Sequence, residues 1–145
     1  MKIEQIAIFM ENKPGHLRTI CRTLADAGVN IRTLSLADTE QYGILRLLTD
    51  NTVKAREALS AAGFVVNVTE VLAVEVDDQP GGLLRILDII GEAGINIEYM
   101  YAFTFHSGEN AVMVFRFDSP DKAIVTLQDK NIKVIPSIDI LKGGK

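Results

Sequence analysis

The chain has 145 residues, with 15 Lys and Arg against 19 Asp and Glu, a net charge of −4 and a single cysteine. An acidic, balanced chain without a basic run argues against nucleic acid as a partner, and one cysteine excludes an internal disulfide and suits a reducing cytoplasm. The opening MKIEQIAIFM breaks its apolar residues with charged and polar ones, so neither a signal peptide nor a membrane span is expected.

Residues 2–10 alternate, with Ile6, Ile8 and Met10 on one side and Ala7 and Phe9 on the other, which predicts a half-buried strand. A turn follows, and Pro14 suits the first turn of a helix, where its missing N–H is not needed. Leu17, Ile20, Cys21 and Leu24 then recur at helical spacing, opposite Arg18, Thr19, Arg22 and Asp26. Gly28 ends that helix by taking the left-handed conformation cheaply. Asn30 opens a second strand running to about residue 39, and a third covers 43–49. A second helix covers 52–62, and a fourth strand starts at residue 64.

The same order then repeats. Residues 12–31 read NKPGHLRTICRTLADAGVNI, and residues 78–97 read DQPGGLLRILDIIGEAGINI. Pro14, Gly15, Leu17, Ile20, Ala27, Gly28, Asn30 and Ile31 recur as Pro80, Gly81, Leu83, Ile86, Ala93, Gly94, Asn96 and Ile97, at a constant offset of 66. Leu72, Val74 and Val76 repeat the first strand. The second strand of this copy runs from Asn96 to about residue 105 and alternates Tyr99, Tyr101 and Phe103. A longer turn raises the offset to 68, so a third strand covers 111–117, a helix covers 120–130, and the last strand starts at residue 132. The run FVVNVTEVLAVEV, residues 64–76, has no Gly or Pro and is expected to finish one module and start the next without a free linker. Residues 143–145 read as a frayed tail.

Two tandem modules, residues 1–70 and 71–145, follow from the repeat. Strand, helix, strand, strand, helix, strand with short connections predicts an α+β fold, a ferredoxin-like βαββαβ sheet with both helices on one face, made twice. Halves this small have thin cores, and exposed edge strands point to a homodimer.

The Glu11-Asn12-Lys13-Pro14-Gly15 and Gly28-Val29-Asn30-Ile31 segments, matched by Asp78-Gln79-Pro80-Gly81 and Gly94-Ile95-Asn96-Ile97, resemble the ACT domain, a regulatory module that binds amino acids. The first copy is most similar to the serine-sensing ACT domain of phosphoglycerate dehydrogenase, and the whole chain resembles stand-alone tandem ACT proteins. The resemblance implies that the asparagines at positions 12 and 30 contact a free amino acid lying between two modules, against the helix-start loop of one and the second strand of another. The histidine that precedes the loop in that enzyme is replaced here by Met10 and Val76.

Elementary chemistry agrees with that implication. A free amino acid is a zwitterion, and a helix start offers unpaired N–H groups and the positive end of a dipole to its carboxylate. A carboxamide serves either end of the ligand. The candidate binding residues are therefore Asn12, Pro14, Gly15, His16, Leu17, Asn30 and Ile31, with a second set of Asp78, Gly81, Gly82, Leu83, Asn96 and Ile97. Asp78 could pair with an ammonium but would repel a carboxylate, which ranks the first set ahead. The same residues also suit a plain tight turn and a plain helix exit. No cofactor or metal is expected, and no nucleophile or acid–base pair suggests an enzyme. The expected partners are a free amino acid, a second copy of the chain and a subunit of a metabolic enzyme. The competing expectation is an interaction module that docks on such an enzyme without a ligand.

Overall fold

The computed structural model describes residues 1–11, 13–38, 41–103 and 110–141. The elements run β1 (Ile3–Glu11), α1 (His16–Asp26), β2 (Ile31–Asp38), β3 (Tyr42–Thr49), α2 (Thr52–Ala61) and β4 (Val66–Val76). They continue with α3 (Gly82–Glu92), β5 (Ile97–Ala102), β6 (Ala111–Phe117), α4 (Pro120–Asp129), β7 (Val134–Ile135) and α5 (Ser137–Leu141). The chain forms two compact units, the first built on Glu4–Thr69 and the second on Glu70–Ile140 together with Met1–Ile3. The strand expected from residue 64 starts at Val66, because the Phe64 amide closes α2 on the Leu59 carbonyl at 3.1 Å; Val66–Val76 form the single strand β4, whose residues 66–69 belong to the first unit and 70–76 to the second.

Each unit has the strand order of a ferredoxin-like sheet. In the first, β2, β3, β1 and β4 lie side by side, with β1 and β2 both antiparallel to β3. In the second, β5 and β4 flank β6 antiparallel, and β7 pairs with β4 through Ala73 with Ile135 and Val74 with Val134. The alternation read from the sequence holds: Ile6, Ile8 and Met10 of β1 are buried with Leu45 and Leu47 of β3. Ile20 and Leu24 of α1 and Ala55 and Leu59 of α2 close over them. The second core repeats this with Leu72, Val74, Val76, Phe115 and Phe117 under Ile86, Ile90, Ala123 and Leu127. Four residues separate the paired helix positions in each case, one turn apart on one stripe.

The first helix of each unit ends in the same way. Gly28 and Gly94 adopt φ of 72° and 71°, and the next amides reach back, Val29 to the Leu24 carbonyl at 2.9 Å and Ile95 to that of Ile90 at 3.1 Å. This closure satisfies carbonyls that the helix itself leaves open and seats Val29 and Ile95 in the cores.

Other details also depart from the sequence reading. Asn30 and Asn96 precede β2 and β5 instead of opening them, because both strands begin with a register shift, between Ile31 and Thr33 and between Ile97 and Tyr99. The last strand, expected from residue 132, is only Val134–Ile135, since the Ile132 amide closes α4 on the Leu127 carbonyl at 3.0 Å and Pro136 brings no N–H to a ladder. The short helix α5 follows, with the Asp139 amide on the Pro136 carbonyl at 3.1 Å. The expected limits of β2 and β5 at residues 39 and 105, and the tail at 143–145, lie outside the described residues.

Candidate functional site

The helix-start loop is built by backbone bonds that recur in both units. The Lys13 amide donates to the Glu11 carbonyl at 2.9 Å and the Gln79 amide to that of Asp77 at 2.9 Å. The His16 amide donates to the Lys13 carbonyl at 3.3 Å, and the Gly82 amide to that of Gln79 at 3.0 Å. Gly15 and Gly81 cap α1 and α3 in the left-handed conformation, at φ 90° and 86°, with no side-chain cap. That backbone is where a glycine is required.

The Gly15 carbonyl accepts both the Thr19 amide and the Thr19 hydroxyl, each at 2.9 Å. The Leu17 and Arg18 amides meet no backbone acceptor among the described residues. Such first-turn amides carry the positive end of the helix dipole. The outer face of α1 adds Arg18 and Arg22, which with Gly15, Thr19 and Thr23 line an open depression of about 380 Å³. The matching positions of α3, Gly81, Leu84, Arg85, Asp88 and Ile89, line one of about 390 Å³ with Glu92 and Lys130. The first loop thus lies beside basic residues and the second beside mixed charge.

Pro14 is exposed, His16 is half-buried, and Leu17 packs against the first core. Asn12 lies outside the described residues. Its neighbours form an ion pair, Lys13 Nζ to Glu11 Oε2 at 2.5 Å. The hydrogen bond from Lys13, and then its charge, hold the Glu11 carboxyl below the usual carboxylate range. In the second set Asp78 and Gly81 are exposed, and Leu83 is 36% exposed. Gly82 lies tight against its own loop, where an added Cβ would collide with the Asp77 carbonyl oxygen.

Asn30 and Asn96 are exposed, and each is clasped through its backbone. The Asn30 amide donates to Asp50 Oδ1 at 2.9 Å, and the Asp50 amide returns to the Asn30 carbonyl at 3.0 Å. Asn96 and Asp118 do the same, at 3.1 Å in both directions. Asp50 and Asp118 were missed in the sequence, although the offset of 68 superimposes them. Ile31 and Ile97 turn into the two cores.

Within one unit these two groups do not meet. Glu11, just before the helix-start loop, pairs with Tyr42 at the start of β3. Asn30 is bound to Asp50, just past the end of β3. The length of β3, 8 residues, separates them, roughly 25 Å at about 3.3 Å per residue. The helix-start end is electropositive, and the Asn30 end carries a carboxylate. Among the described residues no cluster of His, Cys, Asp or Glu could hold a metal ion, and no helix is long and apolar enough to cross a membrane.

Comparison with known proteins places these features. The family described as an ACT domain pair matches residues 1–142. The crystal structure of protein BT0572 from Bacteroides thetaiotaomicron is similar over 98% of this chain and 97% of that one, at 34% identity and a TM-score of 0.91. The regulatory subunit of aspartate kinase from Thermus thermophilus shares the fold at 17% identity and a TM-score of 0.63, over 88% of this chain and 90% of that one. That from Thermus flavus does so at 14% identity and a TM-score of 0.61, over 87% and 90%. None of the curated proteins searched matches the chain.

Proposed function

Because the chain belongs to the ACT domain pair family, we propose that it is a regulatory protein, without catalytic activity of its own, that senses a free amino acid at an interface between ACT modules. The observation that carries this reading is the start of α1, where left-handed Gly15 leaves the Leu17 and Arg18 amides without a described backbone acceptor beside Arg18 and Arg22. A ligand carboxylate fits that end. The ammonium fits the opposite end, where Asn30 carries a carboxamide and Asp50 a negative charge. The roughly 25 Å between the ends excludes one small ligand touching both within a unit, so each ligand takes its two ends from two modules. A second copy of the chain and a subunit of a metabolic enzyme are the partners in this reading. Binding at a shared site changes how modules meet, which is how a ligand biases an assembly.

The second unit supports a narrower role. Its loop is closed tightly at Gly82 and lies beside Asp88 and Glu92, so the first set is the primary site and the second a weaker one. The test is a thermal-shift screen over the twenty amino acids with the whole chain. A ligand of the folded state at a hundred times its Kd adds about 2.7 kcal/mol of stability. One amino acid or one chemical group of them is expected to raise Tm, and Asn30→Ala to abolish the rise. No shift with any amino acid would leave a docking module without a ligand.

A further inference from the structure

The helix-start loop of the first unit stands beside an apolar shelf. Met10, the last inward residue of β1, is 8% exposed and packs in the first core, and Leu17 of α1 packs against the same core. Leu36 of β2 is 44% exposed. It sits opposite Leu45, which Ile8 also faces, so it points to the helix-covered side of the sheet. Gly43 comes next along that side, level with Met10. The place its Cβ would take is 3.3 Å from Leu36 Cδ1 and 3.6 Å from Met10 Cγ. The glycine thus lets the two side chains converge at the end of the sheet where the chain turns into α1. Leu34, 42% exposed, extends the same surface two residues along β2, roughly 7 Å. The second unit lacks the shelf. Val76, Ala102 and Ala111 stand where the first has Met10, Leu36 and Gly43, and Met100, the counterpart of Leu34, packs on its own core.

We infer that the first site takes an amino acid with a large apolar side chain, which lies on Leu36 and Met10 while its carboxylate meets the start of α1. This names the ligand class of the site proposed above and rests on that reading. Leu17 joins the two parts of the contact. Its amide has no backbone acceptor among the described residues, and its side chain belongs to the cluster that holds Met10. An α-amino acid can turn such a corner, because its carboxylate and its side chain leave the same carbon. Small-molecule sites commonly combine an apolar wall with a few polar groups that fix orientation. Each methylene buried on that wall tightens binding about fourfold. A polar or charged side chain laid there would lose water and gain no partner from Leu36 or Met10. Arg18 and Arg22 do not argue for an acidic side chain. They lie on the outer face of α1, away from the Ile20 and Leu24 stripe that faces the core, so they attend the carboxylate.

The experiment uses the full chain and titration calorimetry with single amino acids. Leucine, isoleucine, valine, methionine and phenylalanine are set against serine, aspartate, asparagine and lysine, with 2-aminobutyrate as the short apolar reference. One of the large apolar amino acids is expected to bind tightest, about tenfold tighter than 2-aminobutyrate. Leu36→Ala, which copies the second unit, should lower that ratio to about threefold, and Leu36→Met, which keeps a long apolar side chain, should hold it near the wild-type value. A ratio is read because loss of the shared site would weaken both ligands alike. Far-UV circular dichroism checks that each variant is folded. Binding of serine, aspartate, asparagine or lysine in preference to every apolar amino acid overturns the ligand class and leaves the sensing role standing. A ratio unchanged in Leu36→Ala overturns the shelf. Binding of no amino acid at all overturns both the sensing role and the class inferred from it.

Discussion

Gly82 offers the sharpest test of the loop geometry, because three glycines within eleven residues should respond in three different ways to the same substitution. A methyl at Gly82 would collide with the Asp77 carbonyl oxygen and approach its carbon to 2.9 Å and Asp77 Cβ to 3.3 Å. All three atoms belong to the turn that the Gln79 amide closes on Asp77, so relief requires a backbone shift. Overpacking of this kind costs about 1–3 kcal/mol. A methyl at Gly81 would meet nothing within 4 Å, but φ of 86° makes Gly81→Ala lose about 1–2 kcal/mol from conformation alone. A methyl at Gly91, within α3, also meets nothing within 4 Å, and Gly91→Ala should gain about 0.5–1 kcal/mol by helix preference. Urea midpoints at constant m-value measure the order, and each kcal/mol moves Tm by about 2–4 °C in a chain of this size. If Gly82→Ala were as harmless as Gly91→Ala, the approach of Gly82 to Asp77 would be refuted. His16, at the equivalent place in the first loop, should accept alanine within about 0.5 kcal/mol.

The Thr49 hydroxyl is buried, at 1% exposure for the residue, without a hydrogen-bond partner among the described residues; Thr49→Val should therefore stabilise the chain by about 1 kcal/mol in urea unfolding. Asp50→Ala removes the acceptor of the Asn30 amide and should lower stability by about 1 kcal/mol, with faster amide exchange at Asn30 by NMR. Asn30→Ala leaves the backbone clasp in place, so it should leave Tm nearly unchanged while weakening amino-acid binding in calorimetry. Lys13→Ala should raise the Glu11 titration midpoint toward the ordinary carboxylate value, followed by NMR. The depressed Glu11 pKa adds stability above the unfolded carboxylate range, which is lost as pH falls through the lower folded value. Since the pair is exposed, Tm at neutral pH should hardly change in that variant.

Much of the fold could be read from the repeat, because glycines and apolar spacing carry local geometry. Gly28 and Gly94 end helices where the chain needs a positive φ, and Leu45 and Leu47 alternate where one face meets helices. The clasp of Asp50 on Asn30 was not read, since it joins residues twenty apart that meet only once the sheet has formed. The site was harder for a related reason. Residues 12–31 look like one local motif, but the 11 residues of α1 lie between its two ends, and they carry the chain about 16 Å along the helix axis. Proximity in sequence therefore became separation in space. The shortness of β7 has two causes, the Ile132 amide spent on closing α4 at the Leu127 carbonyl and the N–H that Pro136 lacks.

The strand β4 has a consequence for how such a doubled protein can change over generations. Eleven residues finish one repeat and begin the next, and the boundary between the two units falls between Thr69 and Glu70, so any cut between the halves falls inside a strand. A break there would leave the first half a last strand of residues 66–69 and the second half a first strand of residues 70–76, each with a new free end. A single inserted residue would send every inward side chain downstream of it outward within that strand. Parting the two copies therefore means breaking a continuous strand and not trimming a spare linker.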